Sequence, residues 1–300
     1  MVKPPQLIYF RLKKAGMVYM KHYEAVKVTD RIYMVIARYG THANVMQFVI
    51  GDNRAAIIDT AMGATGNLRT FLEQYTDLPI DCFLTHMHPD HAGASSLFDK
   101  RYLNPADDIH CWWALTKEVR LRDLKDACEM EPDLAETMDR EMVDNSCFTY
   151  TPMNPGDVFD LGGITLEVMA AEGHTIGSVV LYCREENALF GGDAVAPMLG
   201  LLSEHTTDFT PVTKAYEDIC RIYEKTNDET KFFCGHKQEV MDRQILKDIK
   251  QGFENIISGN TTGGEHTGRI HGETGGYKVF CESVGMSKIV YTEGSLKCLQ

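Results

Sequence analysis

The 300-residue chain has no run of about 18 apolar residues, so no stretch of it reads as a membrane-spanning helix. Its start, MVKPPQLIYFRLKKAGMVYMKHYEAV, is basic but lacks both a continuous apolar segment and a small-residue cleavage site. It therefore reads as mature protein rather than a signal peptide. No two cysteines stand in C-x-x-C spacing. The nine are scattered and odd in number, which argues against a cysteine-based zinc knuckle and fits free, mostly buried thiols in a reducing cytoplasm. Positive charge is also short: 30 Lys and Arg face 43 Asp and Glu, and a net charge of −13 repels phosphate backbones. Nucleic acid and membrane are thus not expected as partners. A small-molecule substrate is, and a homo-oligomer stays open. No internal repeat or clear boundary divides the chain. It reads as one domain over 1–300 with a helical insert near 105–150 and a Gly-rich extension from about 258.

Residues 28–61 alternate β-branched and aromatic residues with turn signals, which predicts hairpins. GNLRTFLEQY has helical spacing at Leu68, Phe71, Leu72 and Tyr75. DCFLTH is a short apolar strand, and AGASSLF is expected to open the helix that follows it. Residues 112–144 predict helix. Strands are expected at ITLEVMAAEGH, SVVLYCRE, NALFGGDAV and KFFCGH, and helices at PVTKAYEDICRIYEK and KQEVMDRQILKDIKQGFENII. The Gly- and Thr-rich stretch after 258 reads as loop, with one or two strands in YKVFCESVGMSKIVYTEG.

Against these absences stands one concentration. THMHPDHAG places three of the eleven histidines, His86, His88 and His91, and one aspartate, Asp90, within six positions. In extended backbone, residues two apart face the same way, so His86 and His88 can share one point in space. Pro89 bends the chain. Asp90 and His91 follow at the turn and can serve a second point close by. This spacing suits two neighbouring metal ions; imidazole with carboxylate suits Zn²⁺ and also permits Fe or Mn. Three further candidates each follow an apolar strand and a glycine: His174 in EGHT, Asp193 in GGDA and His236 in CGHK. The strand fixes the donor, and glycine lets the backbone turn tightly.

His86-x-His88-x-Asp90-His91, then Gly173-His174-Thr175, Gly192-Asp193 and Gly235-His236, in that order, resemble the metallo-β-lactamase superfamily. AAIIDTAMG, with Asp59, resembles that family's early strand, and the likeness runs from about residue 28 to 257. It implies an α/β fold, a four-layer αββα sandwich with the site at one edge. It also implies two divalent ions, zinc first and iron or manganese as alternatives. His86, His88 and His174 would hold one ion, Asp90, His91 and His236 the other, and Asp193 would bridge them. Asp59 would orient a ligand, or else serve as a turn aspartate. Asp90 would also contact the nucleophile, a metal-activated hydroxide, so no Ser or Cys nucleophile is needed.

Departures narrow the resemblance. Zinc β-lactamases lack a bridging carboxylate at the position of Asp193. The flavin-linked di-iron members carry an acidic ligand where this chain has His88. The glutathione-binding residues of glyoxalase II enzymes have no match in 195–300. Acyl-homoserine lactonases share a GHTIGS-like turn but carry a tyrosine soon after the bridging aspartate; here none precedes Tyr216, and His205 is the polar group in that region. The tRNA-processing members need a basic arm. The expectation is a metallo-hydrolase of a small acyl substrate, an ester, thioester or lactone. A phosphodiesterase or nuclease, and then a di-iron redox enzyme, are the alternatives. Trp112, Trp113 and Met130 are candidates for an apolar pocket wall, or for packing within the inserted helices. His266 and His271 read as surface residues.

Overall fold

Two β-sheets face one another, and the side-chain alternation of their strands explains why. The structure is a computed structural model; it describes residues 22–39, 42–128, 139–202, 210–266 and 278–299. The first sheet starts with an antiparallel meander: β1 (Tyr23–Lys27), β2 (Ile32–Tyr39), β3 (His42–Ile50) and β4 (Ala55–Ile58). It continues in parallel through β5 (Ile80–Phe83), β6 (Arg101–Leu103) and the two-residue β7 (Thr151–Pro152). The helices α1 (Leu68–Leu72), α2 (Pro89–Ala92), α3 (Asp108–Ala114) and α4 (Lys117–Cys128) lie in the crossovers. The second sheet is built from β8 (Val158–Asp160), β9 (Thr165–Ala170), β10 (Val179–Cys183) and β11 (Ala188–Phe190). A later strand, β13 (Lys231–Phe233), pairs parallel with β11 and completes it.

Even and odd positions of these strands enter different cores. Ile32, Met34, Ile36, Ile58 and Phe83 meet Leu166, Val168, Leu181 and Phe190 between the sheets. Val35, Ala37, Phe48 and Ile57 point the other way, against Leu68, Leu72 and Leu124 of the helices. On the outer face of the second sheet, Val180, Tyr182 and Leu189 pack with two amphipathic helices, α5 (Val212–Lys225) and α6 (Gln244–Ser258). The layers are helix, sheet, sheet, helix, as expected for the αββα sandwich. Burying each large aliphatic or aromatic side chain in these cores contributes roughly 1.5–3 kcal/mol.

A third sheet was not anticipated as such. β12 (Met198–Leu201) pairs in parallel with β15 (Ser287–Thr292), which pairs with β14 (Val279–Val284). Ile289 and Tyr291 add to the core under α6. Ahead of β14, the chain at 262–263 is organised by Glu282 of that strand. The Glu282 carboxylate, 1% exposed, accepts from Asn255 Nδ2 and from the backbone N–H of Thr262 and Gly263. Burial raises its pKa, but these donors outweigh burial and hold it below the ordinary carboxylate range. A depressed carboxylate stabilises the fold above its unfolded value of about 4.3, and that contribution is lost as pH falls through the folded value. Glu282→Gln is therefore expected to cost about 1–2 kcal/mol at pH 7. The gap from wild type should close on acidification towards pH 3, measured by urea unfolding at each pH. A gap that persists at low pH would remove the carboxylate's charge from the explanation.

Three local expectations need correcting. The helix expected over 112–144 breaks at Leu115 and Thr116, where Thr116 Oγ1 accepts from the Val119 N–H and caps α4; residues 142–149 are not helical. The helix after the histidine loop starts at Pro89 rather than in AGASSLF. Proline fits the first helical position, where its missing N–H costs nothing. The thiols are less buried than expected: among the described ones Cys82, Cys183 and Cys234 are buried, while Cys111, Cys220 and Cys281 are intermediate and Cys147 is exposed.

Candidate metal centre

The loop that leaves β5 is held before it reaches its histidines. Asp59, at the end of β4, accepts from both the N–H and the Oγ1 of Thr85, each at 2.8 Å. Its backbone is left-handed (φ 61°), a conformation that aspartate adopts more readily than most residues. Its Oδ2 also lies 2.8 Å from His91 Nδ1. A turn aspartate would need none of these contacts; Asp59 orients the loop and one of its imidazoles together.

His86, His88 and His174 form a tight trio. Their ring centroids lie 4.5 Å (His86–His88), 4.7 Å (His86–His174) and 4.6 Å (His88–His174) apart. His174 Nε2 is 3.0 Å from His88 Nδ1, so two ring nitrogens face each other. His174 Nδ1 lies 3.2 Å from the Gly200 carbonyl; donation there leaves a lone pair on Nε2 aimed into the trio.

Beside the trio lies a carboxylate-rich group. His236 Nε2 is 3.2 Å from Asp90 Oδ2 and 3.1 Å from Asp193 Oδ2. His91 Nε2 is 3.6 Å from Asp90 Oδ2 and 3.5 Å from Asp193 Oδ1. Asp193 Oδ2 is also 3.7 Å from His174 Nε2, so this carboxylate stands between the two groups. All seven donors expected from the sequence converge here.

The electrostatics of the two groups differ. Burial pushes the His86 imidazole well below its ordinary pKa and brings His88 down to about 3, so both are neutral donors. Burial also opposes charge on Asp90 and Asp193, but the imidazoles of His91 and His236 outweigh it and keep both carboxylates ionised. Reciprocally, Asp90 and Asp193 hold His91 and His236 above the ordinary histidine value against burial. The donor chemistry fits divalent cations. Among the described residues, His86 Nε2, His91 Nε2 and Asp193 Oδ1 are buried without a hydrogen-bond partner. His86, His88 and His174 could hold one ion, as could His86, His91 and Asp193; in each set the donor atoms lie within 4.8 Å of one another.

Two contributors escaped the sequence. Asp107 is fully buried and accepts from the Met87 N–H at 2.8 Å, Thr175 Oγ1 at 3.0 Å and the Gly177 N–H at 2.8 Å. It ties the His86–His88 loop to the His174 loop, and no local pattern announces it. His42 lies close to Asp90 and His236; its signal was present, because His42 and Asn44 alternate on β3 and so share a face.

The pocket candidates separate. Trp113 stands with its ring centroid 6.2 Å from that of His88, whereas Trp112 is 68% exposed. A cavity of about 660 Å³ is lined by Trp112, Arg120, Met142 and Phe148 but by none of the seven donors, so the donors and not the cavity locate the chemistry. His205, Met130 and His271 lie outside the described residues. His266 is half-buried, with its N–H donating to the Val279 carbonyl.

The family model of the metallo-beta-lactamase superfamily matches residues 40–107 and 113–236. The chain belongs to this superfamily. The match ends on His236, the last of the seven donors. An atrochrysone carboxyl ACP thioesterase of Paecilomyces divaricatus is 32% identical over 152 residues, 49% of this chain and 38% of that protein. The chain thus covers well under half of that relative's length. A hydroxyacylglutathione hydrolase of Roseobacter denitrificans is 25% identical over 70% of this chain and 72% of its own. A solved metallo-beta-lactamase family protein of Thermus thermophilus superposes with a TM-score of 0.52 at 21% identity, covering 78% of this chain and 82% of that one, which shows the shared fold. In this superfamily member, no helix among the described residues is long and apolar enough to cross a membrane.

Proposed function

We propose that this protein is a dinuclear metal-dependent hydrolase of a small acyl substrate, with a thioester as the leading bond and esters and lactones as its neighbours in chemistry. The observation that carries this reading is the position of Asp193 between the histidine trio and the Asp90–His91–His236 group. In this assignment His86, His88 and His174 would hold one ion and Asp90, His91 and His236 the other, with Asp193 placed to serve both. Zinc is the favoured metal. Bound ions would supply a water of lowered pKa and a Lewis acid for the substrate carbonyl. Asp59 fixes the tautomer and direction of His91. Asp90 is kept ionised, so its carboxylate would accept a hydrogen bond from a water that the ions supply, and would orient it. Trp113 forms an apolar wall beside His88.

The thioester is favoured on two grounds. Two of the relatives are, by name, a thioesterase and a hydroxyacylglutathione hydrolase. A thiolate, with a conjugate-acid pKa of about 8.5, also leaves near neutral pH without a general acid, whereas an alkoxide does not. The acidic surface suits a small-molecule substrate in the cytoplasm better than a nucleic acid. The test is a panel of acyl thioesters, oxyesters, lactones and bis-(p-nitrophenyl) phosphate, offered to metal-loaded and chelator-treated protein. Thioester turnover that the chelator abolishes is expected. Cleavage of the phosphodiester with inert acyl bonds would replace this reading with a phosphodiesterase.

Gly235 provides a second check. It lacks a left-handed backbone, so its need for glycine is spatial. A Cβ there would come within 2.4 Å of His91 Cε1 and 2.9 Å of Asp193 Oδ1. Gly235→Ala is expected to displace both side chains, cost about 1–3 kcal/mol of stability and weaken binding of the second ion by about tenfold or more. Metal titration with calorimetric unfolding reads both. Unchanged metal affinity would show that His91 and Asp193 do not share that ion.

A further inference from the structure

We infer that His42 supplies an additional donor to the ion assigned to Asp90 and His236, a step that rests on the two-ion reading above. His42 is the first residue of β3, and Asn44, two positions on, shares its face. Asn44 Nδ2 lies 3.5 Å from His42 Nε2 and donates to Asp90 Oδ2 at 3.1 Å, so one amide keeps the imidazole and the carboxylate side by side. The His42 and His236 rings are 5.9 Å apart at 54°, tilted rather than stacked, so ring packing is the competing role to be separated from ligation. One ligating atom each from His42, Asp90 and His236 lies within 4.8 Å of the others. Donors bonded at about 2.0–2.2 Å to one Zn²⁺ stand about 3–4 Å apart, so the three need to close by less than about two ångströms.

The chemistry of this addition is specific. Without His42 the second ion has two imidazoles and two carboxylates; with it, three imidazoles and two carboxylates, a five-donor set. The first ion keeps three imidazoles and the shared carboxylate. The two ions would then differ in coordination number, the extra neutral donor sitting at the half-buried rim beside the 37%-exposed His236. A five-donor nitrogen and oxygen set is less selective for tetrahedral zinc and also suits iron or manganese.

The experiment titrates metal-free protein with Co²⁺ and follows both visible absorption and competition with a chelator. The wild type, His42→Gln, His42→Phe and His42→Asp are compared. Wild type should take up two ions, the second giving the weaker bands of the more highly coordinated site. His42→Gln and His42→Phe should remove one donor, strengthen those bands and weaken the second ion about tenfold or more, leaving the first unchanged. His42→Asp, which restores a donor, should recover most of the affinity. His42→Phe keeps a ring against His236, so wild-type spectra and affinities in that variant would reduce His42 to packing and overturn the inference. A third ion in wild type that vanishes in His42→Gln would also overturn it, since His42 would then serve a separate site. Uptake of fewer than two ions by wild type would instead overturn the two-ion reading beneath it.

Discussion

Asp90→Ala is expected to bind one ion instead of two and to lose about 10³-fold or more in hydrolysis, while remaining folded. The activity loss corresponds to several kcal/mol of transition-state stabilisation, the scale on which a metal acts. Two roles disappear together: a donor to the second ion, and the carboxylate that orients the water. Stability should fall without loss of the fold: the ion pairs to His91 and His236 outweigh the repulsion between Asp90 and Asp193, so relief of that like-charge contact offsets only part of what their loss costs. Metal content by elemental analysis, turnover on a thioester and thermal unfolding together check this. Two ions and full turnover in the variant would refute the assignment of Asp90.

Asp107→Ala should show the opposite pattern, with stability failing first. Its carboxylate is fully buried and accepts from the Met87 N–H, the Gly177 N–H and the Thr175 hydroxyl. Removing it strands two buried amides and leaves the Thr175 hydroxyl with Ser178 Oγ alone, at 2.7 Å; the expected cost is about 2–5 kcal/mol. Because Met87 sits between His86 and His88, and Thr175 follows His174, the trio should loosen as well. The first ion should bind about tenfold or more weakly even where the variant is still folded. Urea unfolding and metal competition measure the two effects. A variant of wild-type stability and affinity would show that the two loops hold their positions without Asp107. Asp107→Asn, which keeps the volume but turns an amide towards the N–H donors, should fall between the two.

The contrast between Asp90 and Asp107 explains how much of the molecule was legible in its sequence. Asp90 sits in a local pattern, two residues from His88, and its place in the cluster with His91 could be anticipated from spacing, and with His236 from the resemblance. Asp107 acts on residues 68 and 70 positions away, and nothing near it distinguishes it from a surface aspartate. The strands were legible as apolar runs, and β2, β4 and β10 place alternate residues in different cores because both their faces are covered; the sandwich they build came from the resemblance of the motifs, not from periodicity. The helical insert was less so: Met and Leu spacing continues through Leu115 and Thr116, but a hydroxyl cap stops one helix and starts the next. The glycines before the donors are needed for two different reasons, only one of which is a tight turn. Gly173 and Gly192 have positive φ, while Gly235 only needs the absence of a side chain. His42 was missed although its alternation with Asn44 was visible, because a lone histidine on a strand carries no weight until the fold brings Asp90 and His236 to it.

The division of two ions around Asp193 can be checked most directly by titrating metal-free protein with zinc while counting bound ions by native mass spectrometry and following thioester hydrolysis in the same samples. Two ions per chain are predicted, with hydrolysis rising to its full value only as the second binds. Full activity with a single bound ion, or hydrolysis that persists in metal-free protein, would contradict the account.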